Sequence, residues 1–415
     1  MNEQLLDDAL QTLDLQQHSA AIAAILLVKI KTIANNNINL LAVVRAQIAE
    51  FVSSCNSEQI RLVPDIYCSI FHRLTDILLQ KNDAQTGIRM VSGAIERLQA
   101  TSTQLTSLHA DLCCLCLKAR NLKPALKFLD QNVDDILRES NTQPHFNAKS
   151  YLCYYYYGGM IYAALRQFDR ALFFFEVALT TPSAAVSAIM VEALKKHVLV
   201  SLILHGKMVP LPSYRSPVVA RSVRPLCQAY LELGDAVAGS GDRLNNARQC
   251  LHTHNNLYAQ DFNLGLVKQV IQAVIRANIK RLTSTFLTLS LTDVANRCQL
   301  HGGAQEAERY LVSMIDDKQI SATIDQQNGM VSFHDRAHSA QSDELIVAAV
   351  TECLRLEAKL KTLDVETLLN PQFVSRASKS GATAGGPSGM MYHDDEGVSV
   401  GAGVTASTSD FFMGM

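Results

Sequence analysis

Histidines and cysteines are the residues best suited to chemistry in this sequence. His252 and His254 stand one residue apart, a spacing that offers two imidazoles to a metal ion. A catalytic zinc site needs a third protein ligand besides; alone, such a pair reads as a helix-face or loop feature. Of the ten cysteines, Cys113, Cys114 and Cys116 lie in an apolar helical run at 108–117, and the others are scattered singly. A zinc site lacks its paired spacing, and a disulfide framework is foreign to a long intracellular chain. Free cysteine behaves as a small hydrophobe, so these thiols are expected in the core. No GxxxxGK[ST] loop, GxSxG elbow or HExxH pair is present. The glycine-rich stretch at 381–389 has no strand or helix around it to organise a phosphate site. The reading is therefore no catalytic residues, no metal site, no cofactor and no enzyme.

The elements that would position any functional residue belong to a chain of 415 residues, 48% hydrophobic and only 18% charged. So little charge leaves much surface to be covered by partners, which points to an assembly. The formal net charge is -2, without the basic excess that phosphate neutralisation requires, so no nucleic acid is expected. The longest apolar stretch, 20–28, is far short of the roughly 20 residues that span a bilayer, and it follows an acidic start rather than a basic one. No membrane association is expected, and the location is read as cytoplasmic and nuclear.

Apolar residues recur every three or four positions from Leu5, Leu6, Ala9, Leu10 and Leu13 onward, the mark of successive amphipathic helices. The clearest unit is 151–182, YLCYYYYGGMIYAALRQFDRALFFFEVALTTP, which fits the two-helix tetratricopeptide template. Gly159 and Ala171 let its helices approach, and Tyr162 and Phe175 fill the space between. The tyrosines 154–157 read as core or as the wall of a peptide-binding groove. A degenerate copy precedes it: 108–117, a turn at Asn121, then 124–137. Ala125 and Ala171 are 46 residues apart, so the hairpins are irregular. Three prolines within 210–217 forbid a helix and predict a loop at 208–224, whose Arg215, Arg221 and Arg224 are a solvated or a basic patch.

Residues 266–335 change period. A long amphipathic helix runs through Leu266, Val270, Val274, Ile279 and Leu282. Ser290 with Asp293 forms a capping box, His301-Gly302-Gly303 makes a turn, and a helix with Ala307, Leu311, Met314 and Ile315 inward follows. Alternation then takes over: Ile320, Ala322 and Ile324 on one side, a turn at Asn328-Gly329, and a return through Val331 and Phe333. This is a winged helix with a two-stranded wing. Its third helix carries Glu306, Glu308, Asp316 and Asp317 against Arg309 and Lys318, a balance that favours protein contact over DNA. Residues 343–369 form one long helix with Ala349, Cys353, Leu356, Leu360 and Leu363 as a coiled-coil-like seam, which a bundle with other chains or the chain's own winged helix would cover. Residues 378–415 read as a disordered Gly/Ser-rich tail, with Phe411-Phe412-Met413 either a docking motif or an idle end.

Helical hairpins, a winged helix and a terminal bundling helix, in that order, resemble the layout of PCI-domain proteins, shared by the proteasome lid, the COP-nine signalosome and translation initiation factor three. YYYYGGMIY, RALFFFEVALTTP, KKHVLVSLILHGK (195–207), LTLSLTDVA (287–295), GMVSFHD (329–335) and NPQFV (370–374) are similar to the third-subunit branch of that family in the COP-nine signalosome. The resemblance implies an all-α fold: a tetratricopeptide-like helical-repeat array over 1–194, then a PCI domain over 195–365. The latter contains the winged helix, about 266–335, and runs into the C-terminal helix at 343–369. It also implies a non-catalytic scaffold of the complex that removes the ubiquitin-like NEDD-eight from cullins and so regulates cullin–RING ubiquitin ligases. A lid or initiation-factor subunit is the alternative.

Partners implied are the other signalosome subunits, through PCI–PCI contacts and a shared helical bundle, and indirectly the ligases. The residues expected at the subunit interface are Ile324, Val331, Phe333, Ala349, Cys353, Leu356, Leu360 and Leu363. The metalloprotease subunit of such complexes follows its H-x-H by seven residues and then S-x-x-D. Here the corresponding positions hold Phe262 and Gly265, which fail at both.

Overall fold

Amphipathic segments joined by short turns fold as successive helices, because each apolar stripe must be covered by a neighbour. The computed structural model describes residues 3–32, 38–133, 135–137, 148–183, 185–239, 241–334, 340–371 and 373–375. It opens with α1 (Glu3–Thr12), α2 (Ser19–Thr32), α3 (Ile38–Ser54), α4 (Ser57–Leu62), α5 (Pro64–Gln80) and α6 (Ala84–Leu98). α4 begins where Asn56 accepts the Glu58 amide at 3.0 Å. α5 begins on Pro64, which needs no donor at the first helical position. On α6, Ile88, Val91, Ile95 and Leu98 share one buried face.

A short parallel pair, β1 (Gln104–Leu105) with β2 (Asp135–Ile136), brackets the hairpin of α7 (Leu108–Lys118) and α8 (Lys123–Leu129). α8 stops at Leu129 rather than continuing to residue 137. Asp130 accepts the Tyr162 hydroxyl at 2.7 Å, and the chain beyond is extended, with Leu137 donating to the Leu105 carbonyl at 2.8 Å. Next come α9 (Ala148–Ala164) and α10 (Phe168–Thr180), packed as the template requires. A Cβ at Gly159 would stand 2.6 Å from the Phe175 ring, so only glycine permits this approach. Ala171, Tyr162 and Phe175 are fully buried, and Tyr154 and Tyr155 are buried beside Phe174.

α11 (Ala188–His205) starts on Ser187, whose hydroxyl accepts the Ile189 amide at 3.3 Å, and ends on Gly206 at φ 67°. Every residue from Lys196 to Leu202 is buried, because α9, α10 and the helices that follow pack around this helix. The domain boundary read between 194 and 195 falls inside this helix. The proline-rich stretch is a loop only through Pro217: a π-helical turn, Val219–Val223, and a 3-10 turn, Arg224–Cys227, follow. Pro225 is tolerated there because it sits in the first turn. Then come α12 (Gln228–Ala238), α13 (Arg243–Thr253), α14 (Asn255–Gln260) and α15 (Leu264–Thr283). Val267, Val270, Val274, Ile275 and Ile279 form the buried face of α15.

The winged helix is built from β3 (Thr288–Ser290), α16 (Leu291–Arg297), α17 (Gly303–Asp316), β4 (Ser321–Asp325) and β5 (Met330–His334). Its sheet has three strands in the order β3-β5-β4, not two. Leu289 pairs with Val331, and the Phe333 amide donates to the Leu287 carbonyl at 2.7 Å. Ser290 caps α16, its hydroxyl accepting the Asp293 amide at 3.0 Å. Asp325 accepts the amides of Gln327 and Asn328 at 3.0 and 3.3 Å, and Gly329 at φ 62° completes the wing turn.

Residues 1–334 form one compact unit, and residues 335–415 a second, which contains α18 (Ala340–Leu369). The tail at 378–415, with Phe411, Phe412 and Met413, lies outside the described residues.

Among the described residues, six turns share one capping geometry. Asn82, Arg120, Arg166, Phe262, Gln299 and Lys318 each adopt a left-handed backbone, φ 53–62°. In each, that residue's amide donates to the carbonyl three back and the next amide to the carbonyl five back, as Arg166 to Ala163 at 3.1 Å and Gln167 to Tyr162 at 2.9 Å. This is the Schellman motif, run here without glycine.

Candidate subunit interface

On the winged helix, Ala307, Leu311 and Met314 of α17 are buried, which turns its charged residues outward. Several of those are already engaged: Glu306 accepts the Gly302 amide at 2.8 Å, and Asp317 pairs with Arg276 at 2.8 Å. Val331 and Phe333 point into the module's own core, 0% and 6% exposed, while Ile324 is half-buried on β4. The two β5 side chains thus support the wing from behind, and β4 is an outer strand of the sheet, pairing only with β5 among the described residues.

The other five expected residues lie on one helix. Ala349, Cys353, Leu356, Leu360 and Leu363 of α18 are all exposed, the three leucines at 45%, 66% and 46%. Ile346, exposed at 59%, extends the seam by one step of three; the sequence reading omitted it, although its spacing was visible. Off the seam, Arg355 pairs with Glu352 at 2.6 Å and Lys361 with Glu357 at 2.7 Å. Val347, Leu354 and Leu368 are apolar off the seam as well, so apolar residues are not confined to one face; the regular 3–4 spacing is what suits a helix that packs into a bundle.

His254 Nε2 lies 2.9 Å from Glu232 Oε2, and its ring meets Tyr258 edge-on; His252 is exposed in the last turn of α13. Phe262, where a zinc isopeptidase would have serine, is solvent-exposed on a left-handed turn. Cys113 and Cys116 do stand in a C-x-x-C relation, which the sequence reading passed over. Both are buried on α7, and burial pushes the Cys116 thiol up to about 11, unfavourable for a thiolate ligand. Among the described residues, no three His, Cys, Asp or Glu side chains come together as a metal site.

Helical hairpins leading to a winged helix, with a long helix carrying an exposed apolar seam, define a PCI-type assembly subunit. Comparison with known proteins agrees: residues 1–219 match the family described as COP9 signalosome complex subunit 3, N-terminal helical repeats, and residues 251–335 match the PCI domain. The COP9 signalosome complex subunit 3 of Drosophila melanogaster is 39% identical over 394 residues, covering 91% of this chain and 87% of that protein. The protein of the same name from Arabidopsis thaliana is 34% identical over 336 residues, covering 80% and 76%. The chain belongs to the COP9 signalosome complex subunit 3 family.

Proposed function

We propose that this chain is a non-catalytic scaffold subunit of the COP9 signalosome, acting in cytoplasm and nucleus. In this reading it binds neighbouring subunits by PCI–PCI contacts at the wing and by packing α18 into a shared helical bundle. The complex it joins removes NEDD-eight from cullins, and the chain affects cullin–RING ligases only through that complex. The observation that carries the reading is the 3–4 apolar spacing of α18 from Ile346 to Leu363 in a chain of this family. Two further features support it. The metalloprotease spacing fails at Phe262 and Gly265, and the acidic residues of α17 oppose a duplex phosphate backbone. No described helix is long and apolar enough to cross a membrane.

Native affinity purification from cell extract, with mass spectrometry of the co-eluting proteins, tests the assignment. Recovery of the remaining signalosome subunits with deneddylating activity is expected. Recovery of proteasome-lid or initiation-factor subunits in their place would overturn it.

A further inference from the structure

The start of α13, the end of α15 and the end of α16 frame a cavity of about 670 Å3. Arg243, Arg281 and Arg297 line it, one from each helix. Among the described residues, the arginines in ion pairs are Arg45, Arg276 and Arg355, and none of these three. Arg243 is half-buried, its Nε donating to the Gly239 carbonyl at 2.9 Å, while Arg281 and Arg297 are exposed. The Arg297 guanidinium lies over the Phe286 ring, 4.6 Å from its centre. Stacking of this kind restrains a planar fork and leaves its N–H donors unspent.

Asp242 is the one carboxylate among the lining residues, and it is already engaged. Its Oδ2 accepts Gln299 Nε2 at 2.9 Å and Asn245 Nδ2 at 2.6 Å, and its Oδ1 accepts the Asn245 amide at 3.3 Å. The hydrogen bonds from Gln299 and Asn245, with the charge of Arg248 outside the lining, hold its carboxyl below the usual range. Three arginines against one aspartate leave the lining a formal excess of two positive charges. Helix C-termini disfavour anions through their free carbonyls, but these are covered. The Arg281 carbonyl accepts the Ser284 and Thr285 hydroxyls at 2.8 and 3.0 Å, and the Leu282 carbonyl accepts the Thr285 and Phe286 amides at 3.0 and 2.9 Å.

We propose that this cavity binds a phosphate monoester, with the guanidinium groups of Arg281 and Arg297 as its forks and Arg243 as the further charge. A phosphate monoester carries about -1.5 to -2 at neutral pH and several acceptor oxygens, which matches an excess of two charges on forked donors. A single carboxylate would leave part of that excess unanswered. A phosphorylated side chain of a partner protein and a free phosphorylated metabolite present the same group, and a cavity of this size admits either.

Isothermal titration of the purified full-length chain tests this, with four probes: a phosphoserine pentapeptide, its serine and glutamate counterparts, and glycerol 2-phosphate. The phosphoserine peptide is expected to bind about tenfold or more tightly than the glutamate peptide, and the serine peptide not at all. Glycerol 2-phosphate binding as well as the phosphopeptide would assign the site to free phosphate esters; a phosphopeptide advantage of about tenfold would assign it to a modified protein segment. Arg281→Gln and Arg297→Gln, both at exposed positions, should each weaken the better probe about tenfold or more, with the melting temperature near that of wild type. Asp242→Asn keeps the acceptor that caps α13, removes the lining carboxylate, and should tighten binding. Arg221→Gln, which removes the same charge from an exposed position on the π-helical turn, should change it by less than about twofold. Binding of neither phosphate probe, equal binding of the glutamate peptide, or an equal loss in Arg221→Gln would overturn the proposal; the last would reduce the effect to attraction by net charge.

Discussion

His109 and His197 are two rings kept neutral by burial, 3% and 2% exposed. His109 Nδ1 accepts the Thr106 amide at 3.1 Å and its ring meets Phe128 and Tyr154 edge-on; His197 Nε2 has no hydrogen-bond partner among the described residues. Loss of hydration lowers both pKa values from 6.5 to about 4. In the unfolded chain each titrates near 6.5, so between there and about 4 the unfolded state binds more protons. The stability these rings retain is fully present above pH 6.5 and is lost as pH falls through about 4, roughly 2 kcal/mol per ring by pH 5. Urea midpoints at pH 7.5 and 5.0 should show this fall, and His197→Leu should reduce it. Gly159→Val should lower stability by about 1–3 kcal/mol, read as a lower melting temperature, because the Phe175 ring fills the space a Cβ needs. Tyr162 and Phe175 were legible as core from the hairpin pattern. The two histidines and Phe262 were not, since period reveals an apolar stripe but not which polar residue is trapped beneath it or which apolar one is left outside.

Elements were legible where the period was long. The helices through α6 other than the six-residue α4, the α9–α10 hairpin, α15, α17 and α18 follow from spacings of three and four. Short pieces escaped. β3 has three residues and cannot show alternation, so a three-stranded sheet read as a two-stranded wing. β1 and β2 have two residues each and are held by pairing across the α7–α8 hairpin, a contact no local pattern encodes. Among the caps, Ser290 was visible as the start of a capping box and holds the entry to α16. Ser290→Ala should cost about 0.5–2 kcal/mol, seen as a loss of urea resistance with the helical signal otherwise retained. The seam of α18 was legible because a spacing of 4, 3, 4 and 3 survives without any knowledge of a partner. Val331 and Phe333 show the limit: alternation places them on one side of β5, and only the packing reveals that the side is inward.

For the whole molecule, the sparse charge of the sequence and the exposed leucines of α18 express the same property: apolar surface available for association. The near-zero balance of charge also predicts no salt-dependent DNA binding. Electrophoretic mobility of a duplex probe should be unchanged by micromolar protein at low ionic strength, and a shift that disappears with added salt would count against the protein-contact reading of the winged helix. The central claim is that the α18 seam joins the chain to its assembly. Its most direct test is the recovery of signalosome subunits on tagged wild-type chain and on the Leu356→Asp, Leu360→Asp variant, with circular dichroism on the isolated proteins. Burying unpaired carboxylates against apolar neighbours costs several kcal/mol, roughly, per group. The account predicts that the variant loses the other subunits while its helical signal stays near that of wild type; full recovery of the complex by a folded variant would contradict it.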